Sequence, residues 1–321
     1  MTSPTLNVRV VRKAAEAVDI ATFELVAADG SALPPFSAGA HIDVHLPNGL
    51  VRQYSLCNDP AETHRYLIGV LRDPASRGGS QAMHDQVRDG DLLRISAPKN
   101  HFPLAHEARR SLLLAGGIGI TPILCMAERL ALTGAEFTLH YCARTPERTA
   151  FRERIRRSAY APQVHFHFDD GAPAQKLDLD ATLARPEDGV HLYVCGPKGF
   201  IDAVLATARA RGWAQAQLHY EFFSAEPTAS ASDGSFEVQL ASSGRVVHVA
   251  KEQTVLAALA AAGVEVQSAC EQGVCGTCLT RVLEGEPDHR DSYLSPEERA
   301  ANDQFLPCCS RARSARLVLD L

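Results

Sequence analysis

The sequence predicts a multidomain chain with three parts: an antiparallel β-barrel, an α/β domain with a parallel sheet, and a smaller α+β domain. Three observations lead to this prediction. The 321 residues exceed the size of one typical domain. Strand-like segments stand almost alone up to residue 103 and then alternate with helices. A stretch rich in Ser, Ala, Pro and Gly, SAEPTASASDGS at 224–235, precedes the last part.

The composition is that of a globular chain with a mildly acidic balance. Hydrophobic residues make up 45%, charged residues make up 22%, and the formal net charge is −6. This balance gives no electrostatic support for binding nucleic acid or an anionic membrane. The sequence shows neither an apolar signal region nor a run of ~20 apolar residues, so we expect a cytoplasmic chain. Nine cysteines, an odd number without an export signal, argue against a disulfide framework.

The barrel is predicted for residues 1–104. Its strand-like segments alternate or run apolar and are rich in β-branched residues, which is typical of half-buried strands. They are LNVRVVRK, IATFELVA, HIDVHLP, VRQYSL, RYLIGVLRD and DLLRISAP. One helix-like piece, SQAMHDQV, interrupts them. Short strands at this spacing favour a small antiparallel barrel.

The α/β domain is predicted for residues 105–225. An apolar strand ending in glycines, SLLLAGGIG, is followed by PILCMAERLAL, which has helical periodicity. The alternation continues through FTLHYCAR, AFRERIRRSA, VHFHFDD, LDATLA, HLYVCGP, GFIDAVLATARARG and QLHYEFF. Alternating strands and helices predict a parallel sheet covered on both faces. A linker at 226–235 then leads into the α+β domain at 236–321, which reads as a hairpin, a helix and a closing strand.

Four cysteines of the last domain have the spacing of a plant-type [2Fe–2S] site, C-x4-C-x2-C followed by a distant cysteine. They are Cys270, Cys275, Cys278 and Cys308. Three thiolates would come from one tight loop and the fourth from a distant strand. Gly273 and Gly276 would let the loop curl so that backbone N–H groups point at the sulfurs.

A zinc site and a packing role are the alternatives for these cysteines. A structural zinc site usually pairs two C-x2-C hooks, and only one is present here. Cys308 and Cys309 are adjacent, and neighbours on a strand point to opposite faces, so only one of them can be the fourth ligand. Cys57, Cys125 and Cys142 are most simply small core residues.

One barrel strand carries a pattern suited to a flavin. In Arg52-Gln53-Tyr54-Ser55, alternation puts Arg52 and Tyr54 on one face, and Ser55 on the other face or at the strand end. A guanidinium suits a phosphate, an aromatic ring suits an isoalloxazine face, and a hydroxyl can bond the edge of the flavin ring. Alone, the pattern fits a surface ion pair beside a core tyrosine equally well.

A second motif, Ser76-Arg77-Gly78-Gly79-Ser80, precedes the helix-like piece of the barrel. Glycines before a helix N-terminus expose N–H donors to an anion. An ordinary glycine turn with Ser80 as N-cap is the alternative. The two motifs together, in this order, predict a site for a flavin phosphate.

A glycine-rich turn, Gly116-Gly117-Ile118-Gly119, follows the strand SLLLA. It departs from G-x-G-x-x-G because Pro122 takes the place of the third glycine, and Thr121 and Pro122 suit the N-cap and first residue of a helix. Such a turn in a parallel sheet is where a dinucleotide binds, although a cluster of packing glycines is the alternative. Cys195-Gly196-Pro197 ends a later strand, either beside that turn or as a simple strand exit.

Together these residues resemble the phthalate dioxygenase reductase family, which includes the vanillate demethylase reductases. These are reductase components of Rieske-type oxygenases. RQYSL, SRGGS, GGIGITPI, YVCGP, HYEFF and CEQGVCGTC…CCSRA occur in the family's order over essentially the whole chain. The resemblance implies a flavin barrel, an NADH domain and a C-terminal plant-type ferredoxin domain. It also implies FMN, the typical flavin of this domain order.

The resemblance assigns roles to individual residues. Ser55, Cys195 and Phe223 would form the catalytic set, with Ser55 near flavin N5 and Phe223 packed near the isoalloxazine; for Phe223 a core aromatic role is the alternative. The flavin contacts would be Arg52, Gln53, Tyr54, Ser55, Gly69, Val70, Gly78, Gly79, Ser80, Thr121 and Phe223. The nicotinamide site would comprise Gly116, Gly117, Gly119, Cys195, Gly196 and Pro197. In LPCCSRA the family pattern favours Cys308 as the iron ligand.

The implied function is electron transfer from NADH to a terminal Rieske-type oxygenase of the aromatic-acid dioxygenase or demethylase type. NADH gives up a two-electron hydride, the cluster accepts one electron, and a flavin can do both. Hydride transfer requires no side-chain acid or base, so we name no catalytic acid. Two alternatives stay open: a reductase for another acceptor, and a non-enzymatic redox sensor. Arg144 and Arg148 follow the strand FTLHYCAR, where a 2′-phosphate could bind, but the resemblance favours NADH.

Overall fold

The structure, a computed structural model, describes residues 5–76, 78–223, 233–268, 271 and 273–321. The chain divides into two compact units, Met1–Glu221 and Phe222–Leu321. The first unit contains both a six-stranded and a five-stranded sheet, and the second unit contains a smaller one. The boundary expected between residues 104 and 105 falls inside the first unit and stays a prediction. Among the described residues, no helix is long and apolar enough to cross a membrane.

The six-stranded sheet is antiparallel throughout and curls into the predicted barrel. Its elements are β1 (Thr5–Ala17), β2 (Ile20–Ala27), β3 (His41–His45), β4 (Val51–Ser55), β5 (Tyr66–Leu71), α1 (Gly79–Gln86) and β6 (Leu92–Ser96). The strand order is β4-β3-β6-β1-β2-β5. A bridge between Leu56 and Ile68 joins the two outer strands. The interior is filled by alternating apolar residues, among them Val8, Phe23 and Ile42.

The five-stranded sheet has the order β11-β10-β7-β8-β9, and the four strands from β10 to β9 run parallel. Its elements are β7 (Arg110–Gly116), α2 (Ile120–Thr133), β8 (Glu136–Ala143), α3 (Arg152–Arg156), β9 (Val164–Phe168), α4 (Leu179–Thr182), β10 (Val190–Gly196), α5 (Lys198–Ala210) and β11 (Leu218–Phe222). Strand β10 is buried along its whole length, as expected for a parallel strand covered on both faces. The carboxyl ends of the parallel strands therefore lie at one edge.

Helix α2 begins differently from the prediction. The sequence suggested Thr121 as N-cap and Pro122 as first residue. Instead, a 3₁₀ turn over Gly117–Gly119 runs directly into α2, whose N-cap is Gly119 and whose first residue is Ile120. Thr121 therefore lies in the first helical turn, and its hydroxyl donates to Ile118 O at 3.0 Å instead of capping the helix.

Side-chain contacts join the barrel to the α/β sheet within the first unit. The Phe151 N–H donates to Glu16 Oε1 at 2.7 Å, and Arg148 forms an ion pair with Asp19 at 2.9 Å. Glu16 lies on β1, and Asp19 lies in the turn between β1 and β2. Their partners, Phe151 and Arg148, lie in the segment between β8 and α3. The hairpin of the barrel therefore holds the loop that follows β8.

The second unit is the predicted α+β domain. Its elements are β12 (Phe236–Leu240), β13 (Val246–Val249), α6 (Val255–Ala261), β14 (Thr280–Glu284), β15 (Pro287–Asp288), α7 (Pro296–Ala301), β16 (Gln304–Phe305), β17 (Arg311–Ala312) and β18 (Arg316–Leu319). The larger sheet has the order β13-β12-β18-β14-β16, with β12 and β18 parallel. Arg290 binds Asp233 at 2.9 Å and Arg311 binds Gly234 O at 2.9 Å. These bonds fix Asp233 and Gly234, which precede β12, to the core of the unit.

Candidate functional site

The N-terminus of α1 forms a cationic cradle with Arg52. Gly78, the N-cap, has φ 90°, a left-handed conformation that favours glycine. A Cβ on Gly79 would lie 2.7 Å from Arg52 Cγ and Nε, so the absence of a side chain lets the arginine lie against the helix start. At the other end, Lys13 Nζ donates to the carbonyls of His84 and Val87. The backbone N–H groups at the N-terminus of α1 and the Arg52 guanidinium are donors that suit a phosphate.

Ser80 lies in the first turn of α1, so the alternative in which it serves as N-cap is wrong. Its Oγ accepts a hydrogen bond from the Asp73 N–H at 3.1 Å. The hydroxyl proton therefore stays available to an acceptor such as a phosphate oxygen. Arg77, the other polar member of the motif, lies outside the described residues.

Strand β4 presents its residues as the alternation predicted. Arg52 and Tyr54 pair with Val44 and Ile42, which face the barrel interior, and Tyr54 packs against that core. Ser55 pairs with His41 on the opposite face and is buried. Burial raises the pKa of Tyr54, which therefore stays a neutral aromatic ring.

Gln53 shares the face of Ser55 and is held by other side chains. Its Nε2 donates to Asp43 Oδ1 at 2.9 Å, and the other oxygen of Asp43 accepts from Lys99 Nζ at 2.7 Å. This network fixes β4 against β3. The Gln53 amide is thus committed to strand positioning, and its contact with a flavin stays a prediction.

Gly69 and Val70 on β5 are both buried. A Cβ on Gly69 would lie 3.0 Å from Thr121 Cγ2 and 3.1 Å from Phe151 Cζ, so these two side chains cover it. Val70 lies in the barrel core, and its carbonyl accepts from His84 Nε2 at 2.9 Å. Thr121 is itself buried under this contact.

The two glycine loops of the α/β sheet meet at its carboxyl edge. A Cβ on Gly119 would lie 2.3 Å from Cys195 O, and one on Gly196 would lie 2.9 Å from the Gly116 Cα. These glycines are therefore required because two backbones touch. Gly117 differs, since it has φ 54° and open space where a side chain would stand. That open side leaves room for a ligand to approach the backbone.

A buried carboxyl that the motifs did not reveal lies between the two expected halves of the site. Glu221 is half-buried as a residue, but its Oε2 atom is shielded from solvent and has no hydrogen-bond partner. Burial raises its pKa to about 8, and the Ser55 hydroxyl, within hydrogen-bonding reach, partly offsets the rise. Burial, followed by the nearby Glu221 carboxyl, raises the pKa of Cys195. Ser55, Cys195 and Glu221 therefore form one cluster.

Phe223 and Pro197 are two further members of the expected redox site. Phe223 follows β11, belongs to the second unit and is half-buried. Its proposed contact with a flavin stays a prediction. Pro197 is the N-cap residue of α5, and its Cδ would contact a Cβ placed on Gly116.

The cysteine loop of the second unit brings thiols together. Cys275, Cys278 and Cys308 are buried, and the interaction with the Cys308 thiol, together with burial, raises the pKa of Cys278. The Thr277 N–H donates to Cys275 Sγ at 3.5 Å. Cys270 lies outside the described residues. Among the described residues, no three ligand side chains lie close enough together to hold a metal ion. The chemistry of the thiols nevertheless suits iron, and the backbone N–H directed at a sulfur matches the expected loop geometry.

The neighbouring thiol of Cys309 has different surroundings. Its Sγ donates towards Leu306 O at 3.7 Å, and it would lie 2.4 Å from a Cβ on Gly273. Gly273 and Gly276 both have φ 70°, as expected for a curled loop. A Cβ on Gly276 would meet the ring of Tyr293, so this ring lies on the loop. Cys308 and Cys309 lie in a turn after β16 and their thiols interact with each other, so the expectation of strand neighbours with opposed side chains is wrong. Cys308 stays the proposed ligand because its thiol interacts with that of Cys278.

Comparison with known proteins gives the same family as the sequence motifs. The model of the 2Fe-2S iron–sulfur cluster binding domain matches residues 238–313. A second family model, described as the N-terminal domain of a DmmA-like dimethylamine monooxygenase subunit, matches residues 96–218. The chain is 59% identical to the vanillate O-demethylase oxidoreductase of Pseudomonas putida, over 97% of this chain and 98% of that one. It is 40% identical to the phthalate dioxygenase reductase of Burkholderia cepacia, over the full length of both.

A solved structure of phthalate dioxygenase reductase, described as modular for electron transfer from pyridine nucleotides to [2Fe–2S], superposes with a TM-score of 0.80. It shares 40% identity and covers 99% of this chain and 98% of its own. The predicted family, oxidoreductase class and three-part fold are confirmed. The chain belongs to the phthalate dioxygenase reductase family of flavin- and [2Fe–2S]-dependent oxidoreductases.

Proposed function

We propose that this chain is the NADH-dependent reductase of a Rieske-type oxygenase system, passing electrons from NADH through FMN and a [2Fe–2S] cluster to the terminal oxygenase. The observation that carries the proposal is the cluster of Ser55, Cys195 and Glu221. A residue expected at the flavin and a residue expected at the nicotinamide both lie beside one buried carboxyl. The nicotinamide, as hydride donor, and the flavin, as acceptor, would thus be brought into contact at this cluster.

The barrel would hold the flavin by its phosphate and its ring. Arg52 and the N-terminus of α1, with Gly78, Gly79 and Ser80, supply the cationic and N–H donors that a phosphate needs. Tyr54 and Ser55 would contact the ring, and Gly69 and Val70 would contribute backbone atoms only. A bound flavin accepts a hydride and returns its electrons one at a time.

The carboxyl edge of the α/β sheet would position the nicotinamide. Gly117 leaves the backbone of the first loop open, while Gly116, Gly119 and Gly196 let the two loops pack together. The role of these residues is alignment, since hydride transfer depends on close and fixed approach. Below a pH of about 8, Glu221 holds a proton on its carboxyl and places no negative charge beside the reacting atoms.

In the second unit, Cys270, Cys275, Cys278 and Cys308 would bind the two irons. We assign three working parts: 1–104 for the flavin, 105–225 for NADH and 236–321 for the cluster, with a linker at 226–235 and a cytoplasmic location. The names of the relatives, vanillate O-demethylase oxidoreductase and phthalate dioxygenase reductase, support an oxygenase that acts on an aromatic acid as the partner.

Reconstitution tests this function. Under anaerobic conditions, rapid mixing with NADH should bleach the flavin absorbance first and the cluster absorbance second. Addition of a vanillate- or phthalate-type terminal oxygenase, its substrate and oxygen should then give NADH-dependent product. A redox sensor would keep both chromophores oxidised under NADH. Rapid dye reduction without turnover by any Rieske-type oxygenase would indicate a different acceptor.

A further inference from the structure

One arginine near the carboxyl edge of the α/β sheet differs from its neighbours. The Arg152 side chain forms no hydrogen bond or ion pair with any described residue, and its Nε is buried without a hydrogen-bond partner. The exposed Glu147 carboxylate interacts with it only through longer-range charge attraction. Three nearby arginines are paired with carboxylates: Arg148 with Asp19 at 2.9 Å, Arg154 with Glu128 at 2.7 Å and Arg156 with Glu153 at 3.2 Å. Arg144 and Arg157 are exposed to solvent, whereas Arg152 is half-buried. A buried guanidinium N–H without an acceptor is unfavourable, so an acceptor from outside the chain would stabilise it.

The guanidinium lies where a nucleotide would approach. Its carbon is 5.6 Å from the centre of the Phe168 ring, and Phe168 is the last residue of β9. The next residue, Asp169, donates its N–H to Ala143 O at 3.1 Å, so β9 and β8 end side by side. Arg152 therefore lies at the carboxyl edge of a parallel sheet, where dinucleotides bind in such folds.

The backbone before Arg152 is held in a strained conformation. Phe151 has φ 58°, which is unfavourable for a residue with a side chain. Its N–H donates to Glu16 Oε1 at 2.7 Å, and its ring lies against Gly69. These barrel contacts hold Phe151 in place and so fix the position from which Arg152 extends. The guanidinium is thus placed in advance instead of sampling solvent freely.

We propose that Arg152 binds a phosphate of the adenosine half of the nicotinamide dinucleotide. This inference rests on the proposed function and names a residue that secures that substrate. A phosphate supplies the acceptors that the guanidinium lacks and forms strong charge-assisted hydrogen bonds with it. The flavin phosphate has a separate cradle at α1, which leaves the dinucleotide as the anion expected at this edge.

The test compares Arg152→Gln with Arg156→Gln, because Arg156 lies on the same helix, is exposed and already has a carboxylate partner in Glu153. With NADH as the donor and ferricyanide as the acceptor, Arg152→Gln should raise KM by about 10- to 100-fold with little change in kcat, as expected for the loss of a charged hydrogen bond. Arg156→Gln should leave KM within about twofold, because it removes only an exposed ion pair. Arg152→Lys should recover part of the affinity.

Two further measurements locate the effect on the ligand. Reduced nicotinamide mononucleotide, which lacks the adenosine half, should show the same KM with the wild type and Arg152→Gln. Binding of 5′-AMP to the oxidised protein, measured by calorimetry, should weaken in Arg152→Gln alone. An unchanged KM for NADH, an equal loss with the mononucleotide, or a loss confined to NADPH would overturn the assignment. Failure of NADH to reduce the wild-type flavin would instead refute the proposed function itself.

Discussion

Replacement of Glu221 by Gln tests whether a carboxyl in the redox site is held protonated by burial. The pKa of this carboxyl rises from 4.5 to about 8 because its Oε2 is shielded from water, and no cation is among the causes that oppose the rise. Glutamine keeps the shape and the polarity but does not titrate. The difference in pH dependence between the wild type and Glu221→Gln therefore reports the protonation of this one carboxyl.

The sign of the effect follows from proton linkage. The unfolded chain releases the Glu221 proton near pH 4.5, whereas the folded chain holds it until about pH 8. Stability due to this group is thus fully present below 4.5 and falls as pH rises, until the folded pKa is passed. The slope is about 1.4 kcal/mol per pH unit, so the loss from pH 6 to pH 8 is at most about 3 kcal/mol.

Trp213 provides the assay, because it is the single tryptophan of the chain, is buried and lies in the first unit. The flavin-free protein is unfolded in urea and followed by the fluorescence of Trp213. As pH rises from 6 to 8, the urea midpoint of the wild type should fall further than the midpoint of Glu221→Gln. Other titrating groups are common to both proteins and cancel in the difference. Glu147→Gln, which alters an exposed carboxylate, should behave as the wild type. Parallel midpoints for wild type and Glu221→Gln would refute the reasoning.

The remaining predictions concern the cofactor sites. Cys308→Ser should abolish the cluster absorbance and lower the iron content while Cys309→Ser keeps both, because the Cys308 thiol interacts directly with the Cys278 thiol; the reverse result would reassign the ligand. Gly79→Ala should weaken flavin binding by about tenfold or more in ultrafiltration, because the added methyl displaces the guanidinium that lies against it. An unchanged flavin affinity would remove the phosphate cradle from α1. A fragment 1–226 should fold with flavin, contain no iron and reduce ferricyanide with NADH without driving an oxygenase. A fragment 227–321, which keeps Asp233 paired with Arg290, should hold the cluster but ignore NADH. Oxygenase turnover supported by the first fragment alone would take the cluster off the electron path.

The sequence predicted those features that depend on local periodicity. Alternation alone placed Arg52 and Tyr54 on one face of β4 and Ser55 on the other, and the register with β3 confirms it. Cysteine spacing similarly predicted the curled loop, because a short loop with glycines at fixed positions has few ways to bring several thiols together. In β4 and in the cysteine loop, the residues that fix the local structure lie within a few positions along the chain or on one neighbouring strand.

The features that the sequence missed depend on contacts between distant segments. Glu221 looked like a polar residue on an edge strand, and its pKa depends on burial against Ser55 and Cys195, which come from other strands. A signal was available: Glu221 lies two residues after His219 on β11, so alternation places it on the face of a residue that stacks on Tyr193. The start of α2 was misplaced because the 3₁₀ turn over Gly117–Gly119 has no distinct sequence signature.

The division of the chain matches the demands of the two electron-transfer steps. Hydride transfer requires the donor and acceptor atoms to approach closely in a fixed orientation. The barrel and the α/β sheet accordingly form one compact unit, in which barrel groups such as Glu16 and Asp19 bind the loop after β8. Transfer of a single electron between flavin and cluster makes and breaks no bond and tolerates a looser geometry. A cluster domain that forms its own compact unit, with its first residues fixed by Arg290 and Arg311, is consistent with that weaker requirement.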